Sequence, residues 1–150
     1  MDAIALLKAD HDKVKKMLAE GEETTERAEK TRTELFETLK AEMMIHERIE
    51  EEIFYPALKS HPKARDIVLE GYEEHHVVDE IMGELEETPV TDETWGAKFK
   101  VMKENIEHHI EEEEGEMFKQ ARQVFDTDEL EELGARMLEL KQLGQQVEAR

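Results

Sequence analysis

Two segments of this chain repeat one pattern, and that repeat restricts the fold more than any other feature of the sequence. His46 and Glu50 open the segment HERIEEEIFYPALK, and His109 and Glu113 open HIEEEEGEMFKQAR. A further histidine precedes each at nearly the same distance: His11 stands 35 residues before His46, and His75 stands 34 before His109. Residues four apart on a helix lie one above the other, so each His-x-x-x-Glu offers an imidazole nitrogen and a carboxylate oxygen to one point in space. The chain therefore reads as two similar helical hairpins, each with a histidine on its first helix and a His-x-x-x-Glu on its second. Packed together, four helices aim His11, His46, His75 and His109, with Glu50 and Glu113, at one core. A lone pair of this kind carries little weight in a glutamate-rich chain. Repetition of the whole arrangement carries much more.

The apolar spacing is all-α. A first helix starts near Asp2, a suitable N-cap, with Ile4, Leu7, His11, Val14 and Leu18 on one stripe. A second carries Leu35, Leu39, Met43, His46, Glu50 and Phe54 and ends at residues 56–59, before the break Ser60-His61-Pro62. A third runs to about Glu87 with Val68, Tyr72, His75, Val78, Met82 and Leu85 inward, and a fourth from about Asp92 to Val124 through Phe99, Met102, Ile106, His109, Glu113 and Met117. Asp126 with Glu129 resembles a capping box for a fifth, whose stripe is Leu130, Leu133, Met137, Leu140 and Val147. The first turn is ambiguous. Equal heights for His11 and His46 place it near residue 28 or 29, whereas Gly21 and Thr24-Thr25 look like a helix stop and start.

Composition narrows the partners. With 150 residues the chain suits one domain, and 40 acidic against 20 basic residues give a formal charge of -20. Nucleic acid and anionic membrane surfaces are disfavoured, since both require a positive face. No apolar run is long enough to span a bilayer and no signal segment opens the chain, so a cytoplasmic protein is expected. There is no cysteine, so any metal must be held by nitrogen and oxygen. Serine-hydrolase and phosphate-loop motifs are missing as well.

Imidazole and carboxylate together suit iron, manganese or zinc, and glutamate can bridge two metals. Six such ligands do not fill the roughly twelve positions of two octahedral ions, which leaves room for water or a small molecule. His76 and His108, one residue from the inward histidines, point about 100° away and are expected in solvent or behind the ligands. His61 is expected in a loop, Glu47 on a solvated face, and Tyr55 and Tyr72 in ordinary packing, although either hydroxyl could donate to a bound oxygen species.

The set resembles the hemerythrin-like, or HHE cation-binding, family. The matching pieces are Asp10-His11, His46-x-x-x-Glu50 followed by Phe54-Tyr55-Pro56, Glu74-His75, and His109-x-x-x-Glu113 followed by Met117-Phe118. The resemblance implies an up-down-up-down four-helix bundle over residues 1–125, with an additional C-terminal helix over 126–150 packed on the bundle or extending it. It implies a non-haem di-iron centre, oxo- or hydroxo-bridged, held by His11, His46, Glu50, His75, His109 and Glu113, with Glu50 and Glu113 as bridges. Dioxygen, peroxide or another small diatomic molecule is the implied partner. In the family's oxygen carriers a second histidine follows four residues after the third-helix histidine; Asp79 stands there in this chain, which disfavours simple reversible carriage. Ferritin-like proteins use Glu-x-x-His on two helices, and only Glu73-x-x-His76 fits that pattern.

Three functions remain open. The first is a di-iron module that senses, stores or protects against dioxygen, peroxide or nitric oxide. The second is a di-iron enzyme that consumes peroxide or oxidises ferrous iron, and the third is a structural helical protein without a specific metal. The expected state is a monomer or a weak homo-oligomer, the fifth helix either packing on the bundle or mediating self-association.

Overall fold

The computed structural model of the chain describes residues 1–148, and the described residues are helical with no strand. The elements are α1 (Ala3–Glu22), α2 (Glu29–Ile49), α3 (Tyr55–Lys59), α4 (Arg65–Glu87), α5 (Trp95–Glu112), α6 (Phe118–Val124) and α7 (Thr127–Glu148). A π-helical turn, Glu50–Phe54, joins α2 to α3, and a second, Glu113–Met117, joins α5 to α6. Each pair thus forms one continuous rod. With α1 and α4 these rods make the up-down-up-down bundle, and α7 packs along α1 and α2. Of the segment 126–150 expected as the extra helix, the last two residues lie outside the described ones.

Local chemistry explains the helix starts. The Asp2 carboxylate accepts the Ala5 N–H at 2.8 Å, satisfying one of the orphan donors at the head of α1. Asp126 and Glu129 form a reciprocal capping box at the start of α7: each side chain accepts the other's backbone N–H, at 2.8 and 3.0 Å. Pro62 opens a 3₁₀ turn, Pro62–Ala64, from which α4 departs.

The first turn resolves in favour of a long connection. Helix α1 continues through Gly21, and residues 23–28 form the loop. Gly21 is no stop signal. A Cβ there would meet the Phe99 ring at 2.2 Å, so glycine lets α1 approach α5. Arg32 then clasps this end of the bundle. Its guanidinium donates to Thr24 Oγ1 at 2.9 Å, Thr24 O at 3.1 Å and Val90 O at 2.7 Å, and lies 4.4 Å over the Trp95 ring.

Two apolar cores fill the bundle. One includes Val14, Leu18, Phe36, Leu39, Val78, Leu85, Trp95, Phe99 and Met102. The other includes Ile4, Leu7, Ile49, Phe54, Leu58, Val68 and Phe118, closed by Leu130, Leu133 and Met137 of α7. Val147 departs from the expected fifth-helix stripe: it is 67% exposed, at the rim of a shallow groove that it lines with Met44, Ile45, Ile49 and Gly144. Among the described residues no helix is long and apolar enough to cross a membrane.

Candidate metal centre

Between the two cores lies a belt of buried polar side chains. All six expected residues, His11, His46, Glu50, His75, His109 and Glu113, face it, and each is at most 4% exposed. His11, His46, Glu50 and Glu113 offer atoms within 4.8 Å of one another, as do Glu50, His75 and His109. The two groups share Glu50. Its Oε1 is 3.1 Å from both His46 Nε2 and His75 Nε2. Glu113 straddles the pair in the same way, with Oε1 at 3.1 Å from His11 Nε2 and Oε2 at 3.2 Å from His109 Nε2.

The repeat extends to the next layer, which the sequence reading missed. Every inward imidazole turns Nδ1 toward an outer carboxylate. His46 meets Asp10 at 3.0 Å and His109 meets Glu74 at 2.6 Å, each partner being the residue before the facing helix's histidine. His11 meets Glu114 at 2.6 Å and His75 meets Glu51 at 2.8 Å, each partner being the residue after the facing glutamate. The signal was available in part: an acidic residue adjoins five of the six candidates, the exception being His109, which stands between His108 and Ile110.

This layer determines what the centre can hold. An Nδ1 that donates to a carboxylate leaves the Nε2 lone pair facing inward, where it meets carboxylate oxygens that are also acceptors. His11 Nε2, His46 Nε2, Glu50 Oε2 and Glu113 Oε1 are buried without a hydrogen-bond partner. Acceptors crowded around a dry space call for a positive charge. In the metal-free chain protons meet part of that demand. Burial pushes the His46, His75 and His109 imidazoles down, but the carboxylates outweigh it: Glu50 and Asp10 raise His46 well above the usual histidine value, Glu50 and Glu51 raise His75 to about 9, and Glu113 and Glu74 raise His109 to about 10. Burial would raise the Glu113 carboxyl, but contacts with Glu50, His109 and His11 hold it well below the ordinary range. A divalent cation would satisfy the same acceptors at once, so the donor set fits a nitrogen–oxygen metal site.

The π turns add an aromatic pair. The Tyr55 N–H bonds to the Glu50 carbonyl five residues back, which brings residue 55 over residue 50, more nearly than α-helical winding does. Tyr55 is fully buried, and its hydroxyl donates to Glu113 Oε2 at 2.8 Å while lying 3.3 Å from His75 Nε2. Ordinary packing was expected; Tyr55 is part of the centre. Gly71 makes room for it, since a Cβ at that position would stand 2.9 Å from the hydroxyl oxygen. Burial and the Glu113 and Glu50 charges push the phenol well above its usual value, so it keeps its proton. Phe118 is the matching residue of the other half, stacked on His11 with ring centres 6.1 Å apart.

The remaining candidates divide. His76 and His108 are exposed, as expected, and His61 sits in the break with its ring edge on Phe125. Glu47 is not solvated. It is 7% exposed, and burial, with the Asp79 carboxylate beside it, raises its carboxyl to about 9. Asp79 itself is exposed and abuts Glu47. Four residues of helix bring it to the side of α4 that bears His75, where a Glu47 carboxyl oxygen lies within 4.8 Å of a His75 ring nitrogen.

Comparison with known proteins agrees with this geometry. The family model "Hemerythrin HHE cation binding domain" matches residues 2–121. The uncharacterized proteins Rv2633c of Mycobacterium tuberculosis and Mb2666c of Mycobacterium bovis are each 32% identical to this chain over 138 residues, covering 91% of it and 83% of the relative. A crystal structure of a hemerythrin HHE cation binding domain-containing protein from Mycobacterium kansasii, an Rv2633c homolog, has a TM-score of 0.84 at 30% identity, covering 96% of this chain and 87% of that one. A family match across the bundle, and inward histidines and glutamates doubled about one polar belt, lead to one conclusion: the chain belongs to the hemerythrin HHE cation binding domain family.

Proposed function

We propose that the centre holds two iron ions and that the protein uses them to interact with dioxygen, peroxide or nitric oxide, as a sensor, a store or a protective protein. His11, His46, Glu50 and Glu113 would hold the first ion, and His75, His109, Glu50 and Glu113 the second, with both glutamates bridging. The observation that carries this reading is the set of inward lone pairs, each imidazole being fixed from behind by its own carboxylate. Iron bound there supplies one-electron chemistry and open coordination positions.

The chain's own contribution is threefold. The outer carboxylates Asp10, Glu74, Glu51 and Glu114 set the ring orientations and keep each Nδ1 protonated, which makes Nε2 the metal-facing atom. The two apolar cores keep bulk water from the belt. Tyr55 holds a proton at Oη against Glu113 Oε2, giving the second subsite a donor that Phe118 cannot give the first. Anaerobic reconstitution with ferrous iron tests the reading. Two ions per chain are expected, followed by spectral change on exposure to dioxygen or nitric oxide; no specific uptake would return the chain to a purely structural role.

A second reading, a di-iron enzyme that consumes peroxide or oxidises ferrous iron, draws support from the same tyrosine, because a fixed hydrogen-bond donor inside the centre suits the stabilisation of charge that develops on a reacting oxygen. Peroxide loss at substoichiometric protein separates it from simple binding.

A further inference from the structure

Between α2 and α4 a surface groove of about 470 Å³ descends to the flank of the centre. Glu47 lies at its floor, 7% exposed, with Oε2 lacking any hydrogen-bond partner. Asp79 stands beside it on the open side. Glu51 completes the group, and ligand atoms of Glu47, Glu51 and His75 lie within 4.8 Å of one another. The groove's basic side chains do not neutralise these carboxylates: Lys40 is paired with Glu86 at 2.6 Å, and Arg48 with Glu52.

The repeat provides an internal control. Glu51 corresponds to Glu114 of the other half, and both hold a histidine. Glu47 corresponds to the buried apolar Ile110, and Asp79 to the exposed Lys15. Building the centre therefore requires the Glu51 type of residue on each flank, but neither Glu47 nor Asp79. One flank is closed by an aliphatic side chain and bordered by a cation. The other keeps the unpaired Glu47 Oε2 buried behind the exposed Asp79, and burying such an acceptor unpaired is costly.

We infer that Glu47, Glu51 and Asp79 form a transient site for a divalent cation, through which ferrous iron is loaded into the centre. Carboxylate oxygens alone make a hard, weak site in which an ion keeps much of its water, as suits a way-station. Glu51 reaches His75 Nδ1 at 2.8 Å, so an ion on that carboxylate stands one imidazole ring away from the inward Nε2. The assignment rests on the two-metal reading of the centre.

The test follows Co²⁺ uptake by the metal-free full-length protein, using stopped-flow absorbance for the rate and metal analysis for the endpoint. Asp79→Lys, which reverses a charge, is expected to slow filling about tenfold, the scale of focused electrostatic attraction. Glu47→Gln, which replaces an ionisable ligand oxygen by an amide, should slow it by a similar factor. Both variants should still reach two ions per chain and the wild-type spectrum. Glu139→Lys, the same charge change on exposed α7 surface, should alter the rate less than twofold. Wild-type rates in both groove variants would overturn the inference. So would loss of the final two-ion spectrum in Glu47→Gln, which would make Glu47 part of the centre itself. Failure of the wild type to take up two ions would overturn the two-metal reading, and the loading site with it.

Discussion

Lys141 of α7 ion-pairs with one oxygen of Asp10 in α1, and the other oxygen of that carboxylate holds His46 Nδ1 at 3.0 Å. The match to the family ends at residue 121, before α7 begins, yet the C-terminal helix reaches the first subsite through a single intervening carboxylate. The matching outer carboxylate of the other half, Glu74, has no lysine; it faces His108 and Glu112 instead. The two subsites thus differ in charge behind their histidines. Burial would raise the Asp10 carboxyl, but His46 and Lys141 hold it below the ordinary value.

Lys141→Met should therefore strand a carboxylate whose side chain is 5% exposed. The expected cost is about 1.5–3 kcal/mol, the range for a hydrogen bond to a charged group, seen as a fall of several degrees in Tm. Stepwise Co²⁺ titration should show weaker binding at one subsite and little change at the other. An unchanged Tm with two unchanged affinities would show that the pair has no influence on the centre.

Glu50→Ala and Glu113→Ala should each abolish stoichiometric binding of two ions, since each carboxylate touches histidines of both halves. Glu52→Ala and Glu112→Ala remove side chains that are 52% and 42% exposed and should retain full metal content. Metal analysis after reconstitution and desalting decides between them; equal losses in all four would contradict the bridging role.

Acid–base linkage gives a prediction with a definite sign. His75 at about 9 and His109 at about 10 lie above the ordinary histidine value of 6.5, so the folded metal-free chain binds more protons than the unfolded chain across that window. Their contribution to stability is fully present below about 6.5 and is lost as pH rises through 9 to 10. Glu47, raised from 4.5 to about 9, acts with the same sign over its own window. The Tm of the metal-free protein should decline from pH 6.5 to 10. Metal affinity should rise over the same range, because the ion replaces those protons. Proton release on adding metal in weak buffer checks the coupling, and a metal-free Tm that does not change with pH would contradict it.

Tyr55→Phe converts one half of the repeat to the aromatic residue already present in the other, so the fold and the two-ion stoichiometry should survive. Loss of the hydroxyl's bond to Glu113 should cost about 1 kcal/mol. Thermal melts and metal analysis test this, and a fall to one ion per chain would make the hydroxyl indispensable to the second subsite.

The helices and the inward set were legible because period and repeat are properties of the sequence alone. Ile4, Leu7, His11, Val14 and Leu18 fall on one stripe whatever packs against it, and all five are buried. What escaped depends on geometry between helices. Asp10 and Glu74 diverge by about 100° from the inward histidine beside each, and their targets are histidines on neighbouring rods. Tyr55 comes over Glu50 only because a π turn adds a residue to the winding, and no periodicity announces such a turn. Glu47 looked solvated because glutamate usually is. The groove that surrounds it needs both α2 and α4 to exist. Val147 failed in the opposite sense, since a helical stripe says which residues align but not how deeply the partner surface covers each of them.

The polar belt also divides the molecule into two storeys. Each apolar core is complete on its own level, and the floor between them consists of like-charged oxygens and imidazoles. Local opening need not follow the order of the chain. The amides of Glu50–Phe54 and Glu113–Met117, held by wide-ring hydrogen bonds beside that floor, should exchange with solvent before the amides of the α-helical segments on either side. A bound ion pair would act as a rivet, merging two weakly joined cooperative units into one.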